Sequence, residues 1–322
     1  MKRHLMPVLV AAIALTVSSQ NQGSGTHPDT TGATTATHYR LYGSGSPVVA
    51  FAVQAEVIWC AAESSIVSIP MNGEKKTIYP TIGSMSALGI VTIAADRQGR
   101  VWFGGPHGLA VKSGTKINVY TAKTGLSNDR VSSIVAADDG SIWVGTDSGL
   151  DVFAGETWKQ YTVKDGLVSD KIQALAIDDK GKVWVGTDKG ICVLNGTAWK
   201  TYSSQNGMSE NDDTRALAYD RIKGVLWAAV GDKDVNTFDG QKWNTYMDTQ
   251  PGIRTIMVDS QSRIWFGTEK GILKFNGDDW LPDPTPFGVP ISQVFQMHSD
   301  EKGNLWFATD RGVIQIMNPY PF

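Results

Sequence analysis

Apolar residues in this chain fall into short runs broken by turns, and one such run returns repeatedly. GSIWVGTDSGLDVF at 140–153, GKVWVGTDKGICVL at 181–194 and SRIWFGTEKGILKF at 262–275 are near copies. Looser versions stand at 99–111, 224–238 and 303–316, and the faintest at 56–69. Aligned on Trp59, Trp102, Trp143, Trp184, Trp227, Trp265 and Trp306, the copies are 43, 41, 41, 43, 38 and 41 residues apart. A period near 41 is that of a four-stranded propeller blade. The unit around Trp143 divides accordingly, with strand a over Val131 to Ala136, b over Ser141 to Gly145, c over Leu150 to Phe153 and d over Thr157 to Thr162. Strands a and b are apolar on both faces, as in a sheet covered on both sides, so the aligned tryptophans are expected between blades rather than in a site.

The fourth strand has its own signature. Trp158-Lys159-Gln160-Tyr161 returns as Trp199-Lys200-Thr201-Tyr202 and Trp243-Asn244-Thr245-Tyr246. Tyr39-Arg40-Leu41-Tyr42 has the same spacing but precedes the first unit, whereas the last unit leaves no room for a fourth strand between Ile316 and Phe322. The two halves fit together. They predict an all-β, seven-bladed β-propeller over 37–322, with four-stranded antiparallel blades and the last blade closed by the N-terminal strand, which removes an exposed edge.

Composition adjusts this picture at the ends. Lys2, Arg3 and His4 precede an apolar run from Leu5 to Val17, then Ser18 and Ser19. The run is too short to span a bilayer and reads as a signal peptide over 1–19, with a short membrane anchor as the alternative. Residues 20–36 offer almost nothing to bury and read as a disordered linker. A periplasmic or secreted location follows, with no membrane span in the mature chain. Formal net charge is -3 with both signs scattered, so no basic stripe exists to neutralise phosphates, and nucleic acid is excluded as a partner. Cys60 and Cys192 fall three blades apart, too far for a disulfide, and read as small buried hydrophobes.

The unit GLVSDKIQALAIDDKGKVWVGTDKGI at 166–191, like GLSNDRVSSIVAADDGSIWVGTDSGLDVFAGETWKQYT at 125–162, resembles the two-component-regulator propeller repeat. Its hallmark runs G-L-x-x-x-x-V-x-x-I-x-x-D-x-x-G-x-[IL]-W-[IV]-G-T-x-x-G-L, and the resemblance covers about 39–317. It implies a sensor-type propeller that binds a ligand outside the cytoplasm, carbohydrate in many relatives. No kinase or output module follows the last blade here, so only the ligand-binding half of that role carries over. The streptogramin lyases have a similar D-G-x-[IL]-W-F-T-E-like strand. Those enzymes need a histidine beside metal-binding acids; within the blades only His107 and His298 are present, and neither stands beside an acidic pair.

Propellers bind on the face that carries the d–a and b–c connections. Counting back from each tryptophan to the start of the innermost strand reaches Asp129 and Asp170, and Asp212 beside Asp213, with Arg130 and Lys171 next to the first two. Three neighbouring blades thus offer carboxylates with basic neighbours, although an aspartate there also starts a strand by bonding its own backbone. The loops at 205–213 and 280–290 depart from the repeat, and the second offers Trp280 and Phe287 as an aromatic platform. These residues are the candidate ligand-binding set, for a small molecule or oligosaccharide. A protein partner is the alternative occupant. No Ser/His/Asp or Cys/His constellation, spaced histidine pair or phosphate loop stands out, so no catalytic residue and no cofactor is assigned, and metal binding is left open. Asp129, Asp170 and Asp212 keep glycosidic or lyase chemistry as the enzymatic alternative.

Overall fold

The computed structural model describes residues 22–26, 36–43, 46–246, 252–275, 279–283 and 291–317. The leader expected over 1–19 lies outside them. Seven antiparallel blade sheets follow one another along the chain, with a two-stranded hairpin of Thr81–Ile82 and Met85–Ser86 between the first and second. The third is typical: Val131–Ala136, Ile142–Thr146, Gly149–Ala154 and Thr157–Tyr161 lie side by side as strands a to d. The seven a strands, Val48–Gln54, Thr92–Ala95, Val131–Ala136, Ile172–Ile177, Thr214–Asp220, Ile253–Val258 and Val294–Ser299, each pack against the next, and the seventh packs against the first. The ring is closed and these strands line its axis.

The core is seven seams. Seven buried clusters each join one blade to the next. Strand b supplies both sides because its side chains alternate. Its tryptophan faces the following blade and the residue after it faces the preceding one: Trp59 meets Phe103, Trp265 meets Phe307, and Trp306 lies in the cluster that holds Cys60. Trp102, Trp265 and Trp306 are fully buried. Their indole N–H groups are satisfied by an aspartate six residues upstream, with Asp96, Asp178, Asp259 and Asp300 accepting from Trp102, Trp184, Trp265 and Trp306 at 2.8, 3.3, 3.0 and 2.9 Å. Cys60 and Cys192 are both buried and unbridged, and burial pushes their thiols up to about 12 and about 11.

Ala36–Tyr42 joins the last blade as its fourth strand, with Leu41 opposite Ile314 and Tyr42 opposite Val313. The Tyr42 hydroxyl donates to Gln315 Oε1 at 3.1 Å. The same sheet gains a fifth strand: Gln22–Thr26 pairs antiparallel with Ala36–Tyr42, inside the stretch read from sequence as a disordered linker. Backbone pairing to a strand edge needs no apolar side chains, which is why composition gave no sign of it.

Candidate functional site

Register fixes which connections share a face. Val131, the first residue of strand a, pairs with Thr146, the last of strand b, so d–a and b–c connections lie together on one face, here called upper. The a–b and c–d turns form the lower face.

On the upper face the aligned aspartates do a local job. Asp129 Oδ1 accepts the Ala122 amide at 2.7 Å, Asp170 Oδ1 the Val163 amide at 2.7 Å and Asp212 Oδ1 the Ser204 amide at 2.6 Å. Each carboxylate ties the end of its d–a loop to the beginning. The loop at 205–213, expected to depart from the repeat, repeats its neighbour. Ser203 caps the 3-10 turn Ser204–Asn206 as Thr162 caps Val163–Asp165, and Gly207 and Gly166 end the two turns at φ 106° and 109°. Leu167 and Met208 are then buried alike. Its acidic composition decorates a conserved turn geometry with one extra residue.

The mouth of the ring is lined by a different position. In six blades strand a bulges immediately after its first residue; only Thr92–Ala95 pairs with its neighbour without such a shift. The bulged residues are Val49, Ser132, Gln173, Arg215, Arg254 and Phe295. A bulge re-aims the side chain it carries. Ser132 donates to the Ile172 carbonyl at 2.6 Å and stitches two blades together. Gln173 keeps a buried Oε1 without a protein partner. Arg215 is held by Asp213 at 2.9 Å and by Asp232, on the b–c loop, at 2.6 Å; the Asp213 bond is the chief reason its guanidinium holds its proton more tightly than usual. Arg254 pairs with Glu269 at 2.8 Å, and its guanidinium lies 5.1 Å from the ring centre of Phe295 on the next blade.

The candidate residues therefore divide. Asp213 reaches the mouth by orienting Arg215. Arg130 pairs with Asp147 of its own b–c loop at 3.2 Å, and Lys171 stands exposed one residue before its strand. Trp280 is not brought to them. It sits in the outermost strand of the sixth blade, packed on Phe266 and Phe275 at 4.8 Å, where it fills a seam as Trp158, Trp199 and Trp243 do. Phe287 lies outside the described residues. Arg215, Arg254 and Phe295 were missed because counting back from the tryptophan stops two or three residues short of the bulge. The available signal was a polar or bulky residue directly after the first apolar position of strand a, as in Ile253-Arg254-Thr255.

Among the described residues no group of three or more histidine, cysteine, aspartate or glutamate side chains is placed to hold a metal, and no helix is long and apolar enough to cross a membrane. The chain is a closed seven-bladed propeller that carries two acid-paired arginines and a phenylalanine at the bulged positions of its innermost strands. Residues 125–148 and 166–189 match the family model described as the two component regulator propeller, so the third and fourth blades carry that repeat. No curated protein matches the sequence.

Among solved structures, the chain is similar to the extracellular domain of the hybrid two-component system BT3049 from B. thetaiotaomicron (17% identity, TM-score 0.71, covering 88% of this chain and 41% of that one). It is similar to that of the one-component system BT4673 from the same organism (17%, TM-score 0.69, 85% and 39%). A catalytically inactive virginiamycin B lyase from Staphylococcus aureus, solved with quinupristin, shares the fold at 13% identity and TM-score 0.69 over 87% of this chain and 99% of the lyase. The chain spans about two fifths of the length of the two sensor domains.

Proposed function

We propose that this protein is an exported, sensor-like binding propeller that recognises a small hydroxyl- or carboxylate-bearing ligand, an oligosaccharide above all, at the mouth of its upper face. The observation that carries the reading is the row of bulged residues: Gln173, Arg215, Arg254 and Phe295 stand at equivalent positions on four consecutive innermost strands. Arginine forks match paired oxygens, and an aromatic face matches the apolar face of a sugar ring. Asp129, Asp170 and Asp212 brace the loops around that mouth; Asp129 and Asp170 keep a second carboxylate oxygen for a ligand hydroxyl, whereas Asp212 Oδ2 takes the Ser204 hydroxyl at 3.1 Å, and Arg130 and Lys171 add positive charge beside them. The match to the two-component regulator propeller repeat supports a periplasmic or secreted site of action.

A thermal-shift series with neutral and acidic oligosaccharides tests this. A ligand at a hundredfold excess over its dissociation constant stabilises the fold by about 2.7 kcal/mol. The shift is expected to vanish in an Arg215→Ala, Arg254→Ala variant. An unchanged shift in that variant moves the ligand elsewhere, and released product in the same samples replaces binding with catalysis.

A further inference from the structure

The lower face holds a groove of about 250 Å³ between the fourth and fifth blades. Its floor is an aromatic triad: Trp184 stacks on Tyr202 at 6.0 Å, and Phe238 of the fifth blade approaches them at 5.8 and 5.0 Å. Its rim carries Lys180, Lys182 and Lys200. The volume is below the roughly 300–1,000 Å³ of drug-sized sites, which suits a single ring.

An equivalent groove between the second and third blades shows what is particular here. There Arg100, Trp102, Tyr120 and Phe153 occupy the positions of Lys182, Trp184, Tyr202 and Phe238. Arg100 is already neutralised: Asp96 Oδ2 takes its Nε at 2.6 Å, and its guanidinium lies 5.0 Å from the Trp102 ring centre. Between the fourth and fifth blades the matching aspartate, Asp178, is buried and accepts from Trp184 and from the Lys180 and Lys182 amides. The Lys182 ammonium turns instead to the neutral Asn195 Oδ1 at 2.9 Å, and Lys200 lies 4.9 Å from the centre of the Tyr202 ring. The remaining rim acid, Asp179, accepts from the Tyr219 hydroxyl at 3.0 Å. Burial first and Asp179 second push that phenol up to about 12, so it stays a donor to Asp179 and adds no charge of its own. The groove thus joins an apolar floor to Lys182 and Lys200, which bond Asn195 and lie over Tyr202 rather than pairing with Asp178 or Asp179 of the same lining.

We infer that this groove is a second binding site, separate from the mouth, for a single-ring compound bearing a carboxylate. The ring lies on the Trp184–Tyr202–Phe238 floor, and the carboxylate meets Lys182 and Lys200.

Ligand-observed NMR titration of the whole protein decides it, with D-glucuronate and 4-hydroxybenzoate as probes and D-glucose and phenol as their neutral counterparts. At least one acid is expected to saturate by about 10 mM and to bind about tenfold tighter than its neutral counterpart. Which acid does so tells a sugar from an aromatic source. Lys182→Met with Lys200→Met should weaken binding about tenfold, whereas Arg215→Ala with Arg254→Ala should leave it unchanged. Asn195→Asp is the second variant: it supplies Lys182 with a permanent acidic partner and should weaken binding without altering any aromatic contact. The inference fails if neither acid saturates, if these rim variants bind as well as the parent, or if affinity follows the mouth arginines. The last result would leave the mouth reading standing and remove this one.

Discussion

Strand c of the third, fourth and fifth blades carries Asp151, Cys192 and Asn236 at one register position, and each side chain accepts the amide of the d–a loop beside it, from Ser127, Val168 and Ser209 at 2.9, 3.2 and 3.0 Å. Only Asp151 brings a charge to that place. It is fully buried, its Oδ1 finds no partner, and burial pushes its carboxyl up to about 6 despite the bonds from Ser127. A carboxyl with a folded-state pKa above its unfolded one near 3.8 binds its proton more tightly when folded, so the contribution of Asp151 to stability is greatest in acid and declines as pH rises from about 4 through 6. The loss amounts to about 3 kcal/mol, all of it suffered at neutral pH. Asp151→Asn is therefore expected to raise stability at pH 7 by up to that amount and to flatten the profile between pH 4 and 6, as measured by urea melts across pH. Asn236 shows that an amide fits the place, donating to Ser209 Oγ at 3.0 Å. A variant less stable than the parent at pH 7 would mean that the Asp151 charge is compensated.

At the scale of the strand, the repeat hallmark is a set of packing demands. The first glycine of W-V-G-T leaves room for the next blade: a Cβ built on Gly186 would stand 2.7 Å from Thr214 Cγ2. Gly186→Ala should cost about 1–3 kcal/mol by denaturant melt, since Thr214 is fully buried and has nowhere to move. The threonine that follows is buried and closes the b–c turn, with Thr187 Oγ1 donating to the Gly190 carbonyl at 2.9 Å. Because the hallmark encodes seams and turns, blade number, strand limits and the closing strand could be read from the sequence to within a residue or two. The mouth could not. Its arginines depend on a bulge, which adds one residue to strand a and shifts every count made from the tryptophan. Trp280 misled for the opposite reason: its place beside Pro-rich sequence suggested an exposed platform, and its strand lacks the Tyr of the d-strand signature, yet it pairs with Phe275 as Trp158 pairs with Phe153 and fills a seam. Asp129, Asp170 and Asp212 were legible as residues of the d–a loop ends, but their bonds to amides seven or eight residues back, which close the loop, were not.

Across the whole molecule, seven seams of similar construction make each blade depend on two neighbours, and the two seams flanking the last blade take residues from both the first and the last strands of the propeller. Removing Ala36–Tyr42 would strip the Gly312–Ile316 strand of its partner and leave Leu41 and Tyr42 missing from their clusters. The melting temperature of such a deletion should fall by about 10 °C or more, with aggregation visible by light scattering, because an open strand edge recruits other chains. A truncated protein that melts and stays dispersed like the parent would show that the ring holds without its closing strand. The closure also sets an order of events in time. Tyr42 and Gln315 are 273 positions apart, so the bond between them waits until all seven blades have been made. The first six blades can condense one after another as they are synthesised, each from contiguous sequence. The closing strand is thus made before any of the blades and used after all seven, and until it docks, the last blade carries an unsatisfied edge: ring closure is the vulnerable moment of folding.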